Sequence, residues 1–180
     1  MISVSELSIA MGGLYCLVHL PLIVTPVLTR RGLGAFPRNR IAGAVLSAVA
    51  LVWAAWNVNA MPLGMIDNYK VWLWVLCPVV YLLVLWFMNE LLAVRALGGI
   101  LMLAACPVLE IQRLNGSCWT WVLAGLAYVW VLAGMIFVLS PYRFRHAIER
   151  CCTNDGICRI LGAAGVLAGA ILIGLGVKVF

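Results

Sequence analysis

Residues 119–139 read WTWVLAGLAYVWVLAGMIFVL, a run of 21 residues without one charged side chain. A helix of about 20 apolar residues covers the roughly 30 Å of hydrocarbon in a bilayer, so this stretch is long enough to cross one. Five more stretches of the same character surround it, at 7–28, 41–61, 71–88, 91–111 and 160–179. None alternates apolar with polar residues as a barrel strand does. Backbone N–H and C=O groups in hydrocarbon need partners within the chain, and helices supply them. The predicted fold is all-α: a six-helix transmembrane bundle in one domain over residues 1–180, with short connections that make successive spans antiparallel neighbours. The tightest connection, at Asn89-Glu90, leaves open a single bent hairpin in place of two separate spans.

Composition agrees. The chain is 66% hydrophobic and 10% charged, with a mean hydropathy of +1.11. A soluble domain of this length needs far more charge on its surface. Net charge is +6, but the arginines flank apolar spans, which makes them topology determinants and excludes nucleic acid as a partner. The start of the chain lacks a basic n-region and a small-residue cleavage site, so residues 7–28 are expected to be a retained span.

Nine of the twelve basic residues fall on one side. Arg30, Arg31, Arg38 and Arg40 lie between the first and second spans. Arg95 lies beside the third connection, and Arg143, Arg145, Arg150 and Arg159 lie between the fifth and sixth. Lys70, Arg113 and Lys178 hold the other side. By the positive-inside rule the nine are cytoplasmic and both termini are extracytoplasmic. Tyr69, Trp72, Trp86, Trp119, Trp121 and Tyr142 lie near span ends, where amphipathic rings favour the headgroup layer.

The last span carries Gly162, Gly165, Gly169 and Gly176. Gly162, Gly169 and Gly176 repeat every seven residues, and Gly165 and Gly169 form a small-xxx-small pair. Such a face lets a second helix approach closely, here preferentially one of the same chain.

Few polar groups lie at depth. His19, with Pro21 and Pro26 beyond it, is either a proton relay or substrate contact, or a neutral imidazole bonded to a proline-freed carbonyl. Asn57, Asn59 and Glu110 lie near the outer ends of their spans, where they either form the mouth of a cavity or cap two helices. Glu90 and Arg95 suggest a local ion pair or a lipid contact. Cys151, Cys152 and Cys158 with His146 lack the Cys-x2–4-Cys spacing of zinc knuckles. Cys16, Cys77 and Cys106 pack inside spans. Bis-histidine haem needs a second intramembrane histidine, and His146 lies in a loop. No nucleophile elbow, HExxH or P-loop is present, so no catalytic residue, metal ligand or cofactor is assigned.

GMIFVLSPYR at 134–143, a basic amphipathic stretch, and RILGAAGVLAG at 159–169 together resemble the small two-helix bacterial inner-membrane proteins called YjeT-like, a family of unknown function. The resemblance covers the last fifty or so residues. It implies a bacterial inner-membrane location and contributes no site. In the same segment, residues 142–150 are expected to lie in the headgroup plane with Arg143, Arg145 and Arg150 toward phosphates. The functional expectation is a small membrane protein without chemistry of its own: a subunit, assembly factor or scaffold whose partners are lipids and other membrane subunits. The alternative is a small-solute transporter or substrate-binding component with an outward-facing cavity.

Overall fold

Ser3 opens the first helix with a capping box, its hydroxyl accepting from the Glu6 N–H at 3.2 Å while Glu6 returns a bond to the Ser3 N–H at 3.0 Å. The computed structural model describes residues 3–62, 64–88, 91–114, 120–151 and 155–178. Over those residues the chain forms α1 (Val4–Val24), α2 (Pro26–Ala35), α3 (Arg40–Ala60), α4 (Lys70–Phe87), α5 (Leu92–Leu114), α6 (Thr120–Leu139), α7 (Pro141–Cys151) and α8 (Asp155–Lys178). Short 3-10 turns at Phe36–Arg38 and Gly64–Tyr69 join α2 to α3 and lead into α4. There is no strand among the described residues. Six of the helices (α1, α3, α4, α5, α6 and α8) are long and apolar enough to cross a membrane.

Two boundaries differ from the sequence expectation by four residues or more. The first long helix ends at Val24, not at residue 28, because Pro26 disfavours the helical region for the residue before it. Thr25 accordingly sits at φ −130°, ψ 64°. Pro26 then takes the first position of α2, where its missing N–H costs nothing, and the stretch expected to be a loop is helical. The last helix begins at Asp155, five residues before residue 160. The Asn89-Glu90 turn lies outside the described residues, but α4 and α5 are separate helices of 18 and 23 residues. Leu91, which heads α5, holds φ at 56°, a left-handed value uncommon for a branched side chain.

Neighbours in space follow small residues more than sequence order. The first and last helices, α1 and α8, form the closest pair, and α5 with α6 the next; α3 lies against α5, and α4 packs on α3. The last span thus pairs with the first and not with its sequence neighbour α6. Small residues let helix backbones approach closely, and the dispersion energy gained there favours these pairs. Where Gly98 of α5 meets Gly134 of α6, a Cβ on either would fall 2.6–2.7 Å from the other's carbonyl oxygen. Gly43 of α3 meets Ala93 and Leu92 at the start of α5. Helix α4 contains no Gly, Ala or Ser, and none of its residues is buried. Val4 and Met11 of α1, Ala105 and Val108 of α5, Leu123 and Ala127 of α6, and Leu172 of α8 form a core joining the two close pairs.

Candidate functional site

The α1–α8 seam places the one histidine of the long helices. Along it, Ser8 Oγ donates to the Leu172 carbonyl at 2.7 Å and Cys16 Sγ to the Val166 carbonyl at 3.8 Å. Gly12 and Gly169 are in backbone contact, since a Cβ on Gly169 would lie 2.7 Å from Gly12 O. Gly162 faces Leu22, Ile23 and the His19 carbonyl, and Gly176 faces Ser5 and Ile9. Gly165 lies directly under the His19 ring, with no room for a methyl group between them. The four glycines singled out in the sequence therefore line one face, and α1 covers it. The answering residues on α1, Ser8, Gly12 and Cys16, repeat every four residues. That small-residue spacing was the available signal for the partner helix, and single-residue readings of Cys16 missed it.

His19 Nδ1 lies 2.9 Å from the Tyr15 carbonyl oxygen. A carbonyl only accepts, so Nδ1 carries a proton and donates it to this bond. The acceptor is not a proline-freed carbonyl. Pro21 frees the carbonyl of Leu17, whereas Tyr15 O is the ordinary i−4 partner of the His19 N–H. The imidazole stacks on Tyr15 at 5.4 Å and 11°, Tyr15 stacks on Trp130 of α6 at 6.2 Å and 10°, and Trp130 Nε1–H donates to the Tyr15 hydroxyl at 3.0 Å. Three rings thus bridge α1 to α6 midway along both helices, and each is only partly buried. Among the described residues, His19 Nε2 has no hydrogen-bond partner.

The polar residues near the other end of the bundle do not gather. Asn57 is half-buried, while Asn59 and Glu110 are exposed, and among the described residues no hydrogen bond links their side chains. Lys70 closes the end of α3 instead, donating to the Asn59 carbonyl at 3.0 Å and pairing with Asp67 at 2.7 Å.

The opposite end is basic. Helices α2 and α7 lie there, both amphipathic in sequence. Phe144 of α7 inserts between Phe36 at 6.2 Å and Phe137 of α6 at 4.9 Å, edge-on to the latter. This leaves Arg143, Arg145 and Arg150 exposed. Arg145 Nε donates to Glu149 at 2.8 Å, and this hydrogen bond holds the Glu149 carboxyl below the usual carboxylate range. Arg30 of α2 pairs with Asp155 of α8 at 2.6 Å. Arg95 forms no ion pair among the described residues; its Nε is buried and has no hydrogen-bond partner. Glu90 lies outside the described residues, as do Cys152 and the Cys151 side chain; Cys158 is buried.

No family model, curated protein or solved structure matches this chain.

Proposed function

We propose that the chain is a membrane-embedded subunit or scaffold of a larger membrane complex, lying in a bacterial inner membrane with both termini extracytoplasmic and α2 and α7 on the cytoplasmic surface. One observation carries the reading. Helices α1 and α5 each hold two consecutive glycines that face different ways. Gly12 packs on α8 and Gly98 on α6, whereas Gly13 and Gly99, about 100° further round their helices, meet nothing among the described residues beyond their own helix backbone within 4 Å of where a Cβ would stand. Gly125 of α6 and Gly174 of α8 are open in the same way. Glycine costs a helix about 1 kcal/mol relative to alanine. Where it packs against nothing in its own chain, close approach by another chain offsets that cost. The likeness of residues 134–169 to YjeT-like proteins and the nine-to-three split of basic residues support the location and the orientation.

The test is assembly size. Gently solubilised wild-type protein is expected to migrate on a native gel well above monomer mass, and Gly13→Leu or Gly99→Leu to return it to monomer while the purified variants melt as wild type does. Wild-type protein that runs as a monomer, or leucine variants that keep the larger assembly, overturn the reading.

A second reading, binding or relay of a small solute or a proton, is favoured by the unpartnered His19 Nε2 beside the Tyr15–Trp130 stack.

A further inference from the structure

We propose that the basic end of the bundle holds a binding site for a phosphate group, built by Arg38, Arg145 and Arg95, whose ligand is the phosphodiester of an anionic lipid headgroup or a free phosphate of the same chemistry. The site stands whether or not the chain has a protein partner. A pocket of about 180 Å³ lies where three elements meet: Gly34, Pro37 and Arg38 at the end of α2, Leu91 at the head of α5, and Arg145 and Glu149 of α7. That is room for several waters, or for one phosphate with its ester oxygens.

The donors around it are underused. Arg38 has no hydrogen-bond or ion-pair partner among the described residues. Arg145 gives its Nε edge to Glu149 and keeps both Nη groups free, so the carboxylate orients the guanidinium without consuming it. Arg95 stands one turn along α5 from Leu91, its N–H bonded to the Leu91 carbonyl at 3.3 Å. Helical side chains lean toward the N-terminus of their helix, which for Arg95 is the end where Leu91 lines the pocket. Its Nε is buried and has no hydrogen-bond partner among the described residues. A charged donor stripped of water and left unpaired is costly, and an anion removes that cost.

The positive end of the α5 dipole points the same way. Among the described residues that line the pocket, two guanidiniums, of Arg38 and Arg145, stand against one carboxylate, Glu149, which His146 also approaches at 3.4 Å. Arginine forks match phosphate oxygens two at a time. The docking of Phe144 fixes the pocket's height at the ends of α6 and α5, which is the level of a headgroup.

The experiment uses the delipidated full-length chain in dodecyl maltoside, with phosphatidylglycerol or phosphatidylcholine added and retention read by native mass spectrometry. Wild-type protein is expected to retain phosphatidylglycerol about tenfold better than phosphatidylcholine. The double variant Arg38→Gln/Arg145→Gln removes that preference without changing the melting temperature in phosphatidylcholine, because both side chains are exposed; Arg95→Gln weakens it in the same direction. Arg31→Gln/Arg159→Gln removes equal charge from the same end outside the pocket and keeps the preference. Inorganic phosphate at millimolar concentration that displaces the lipid and raises the melting temperature, dependent on Arg38 and Arg145, identifies the ligand as soluble phosphate; lipid that phosphate leaves in place identifies the headgroup. Both support the site. Equal retention of the two lipids with no effect of phosphate, or equal loss from the two double variants, overturns it.

Discussion

A methyl group on Gly12 or Gly169 strikes a backbone oxygen of the facing helix, at 2.6 and 2.7 Å, whereas one on Gly165 strikes the His19 imidazole. Backbone cannot move aside without parting the helices; a side chain can be removed. Gly165→Ala is therefore expected to destabilise the protein in detergent by about 1–3 kcal/mol, the usual range for overpacking. His19→Ser is expected to restore most of that loss when combined with it. No truncation on α8 rescues Gly12→Ala in the same way. A denaturant-melting cycle measures the coupling, and additivity of His19→Ser and Gly165→Ala would show that the ring does not fill the space above the glycine.

His19 itself separates the two functional readings. Gln keeps a donor for the Tyr15 carbonyl but does not titrate near neutral pH. If the ring only packs, His19→Gln leaves melting temperature and assembly size unchanged. His19→Leu then costs about 0.5–1.5 kcal/mol, a single hydrogen bond, because the Tyr15 carbonyl still holds the backbone N–H of residue 19. We expect that outcome; a folded, normally abundant Gln variant that loses the activity of the wild type moves the solute or proton reading ahead.

At the scale of helices, sequence was most legible where a pattern repeats. The seven-residue glycine repeat of α8 announced a packed face, and the basic stretch after Pro141 announced a short amphipathic helix, because both depend on spacing alone. Helix α2 was hidden for the opposite reason. Apolar residues continue through Pro26 without a break, so hydropathy ran the first span past a stop that backbone sterics impose at Thr25. Partner choice was also hidden, since a small-residue face specifies close approach but not which helix answers it. Within α8 the two kinds of glycine make opposite predictions. Gly174→Ala, into open space, is expected to raise the stability of the isolated protein by up to about 1 kcal/mol through helix propensity. Gly169→Ala, into Cys16 and the Gly12 carbonyl, is expected to lower it by about 1–3 kcal/mol. Thermal melts in one detergent compare them directly, and equal shifts at both sites would remove the α1–α8 seam as the source of stability.

For the molecule as a whole, charge asymmetry coincides with architecture. Helices α1 and α8 run antiparallel with Ser5 beside Gly176, so both ends of the described chain emerge on one side of the bundle. Helices α2 and α7, with five of the ten arginines, occupy the other. The proposed orientation rests on that asymmetry, because Lys and Arg in short connections resist translocation. Asn39, at the head of α3, and Asn68, in the turn before α4, are both exposed and lie at opposite ends of the bundle. In a variant with all seven native cysteines replaced, a membrane-impermeant thiol reagent applied to intact cells is expected to label Asn68→Cys and spare Asn39→Cys until the membrane is permeabilised. The reverse pattern would invert the molecule and place the proposed phosphate pocket on the outer surface. Labelling of both in intact cells would mean that the basic end does not set a single orientation.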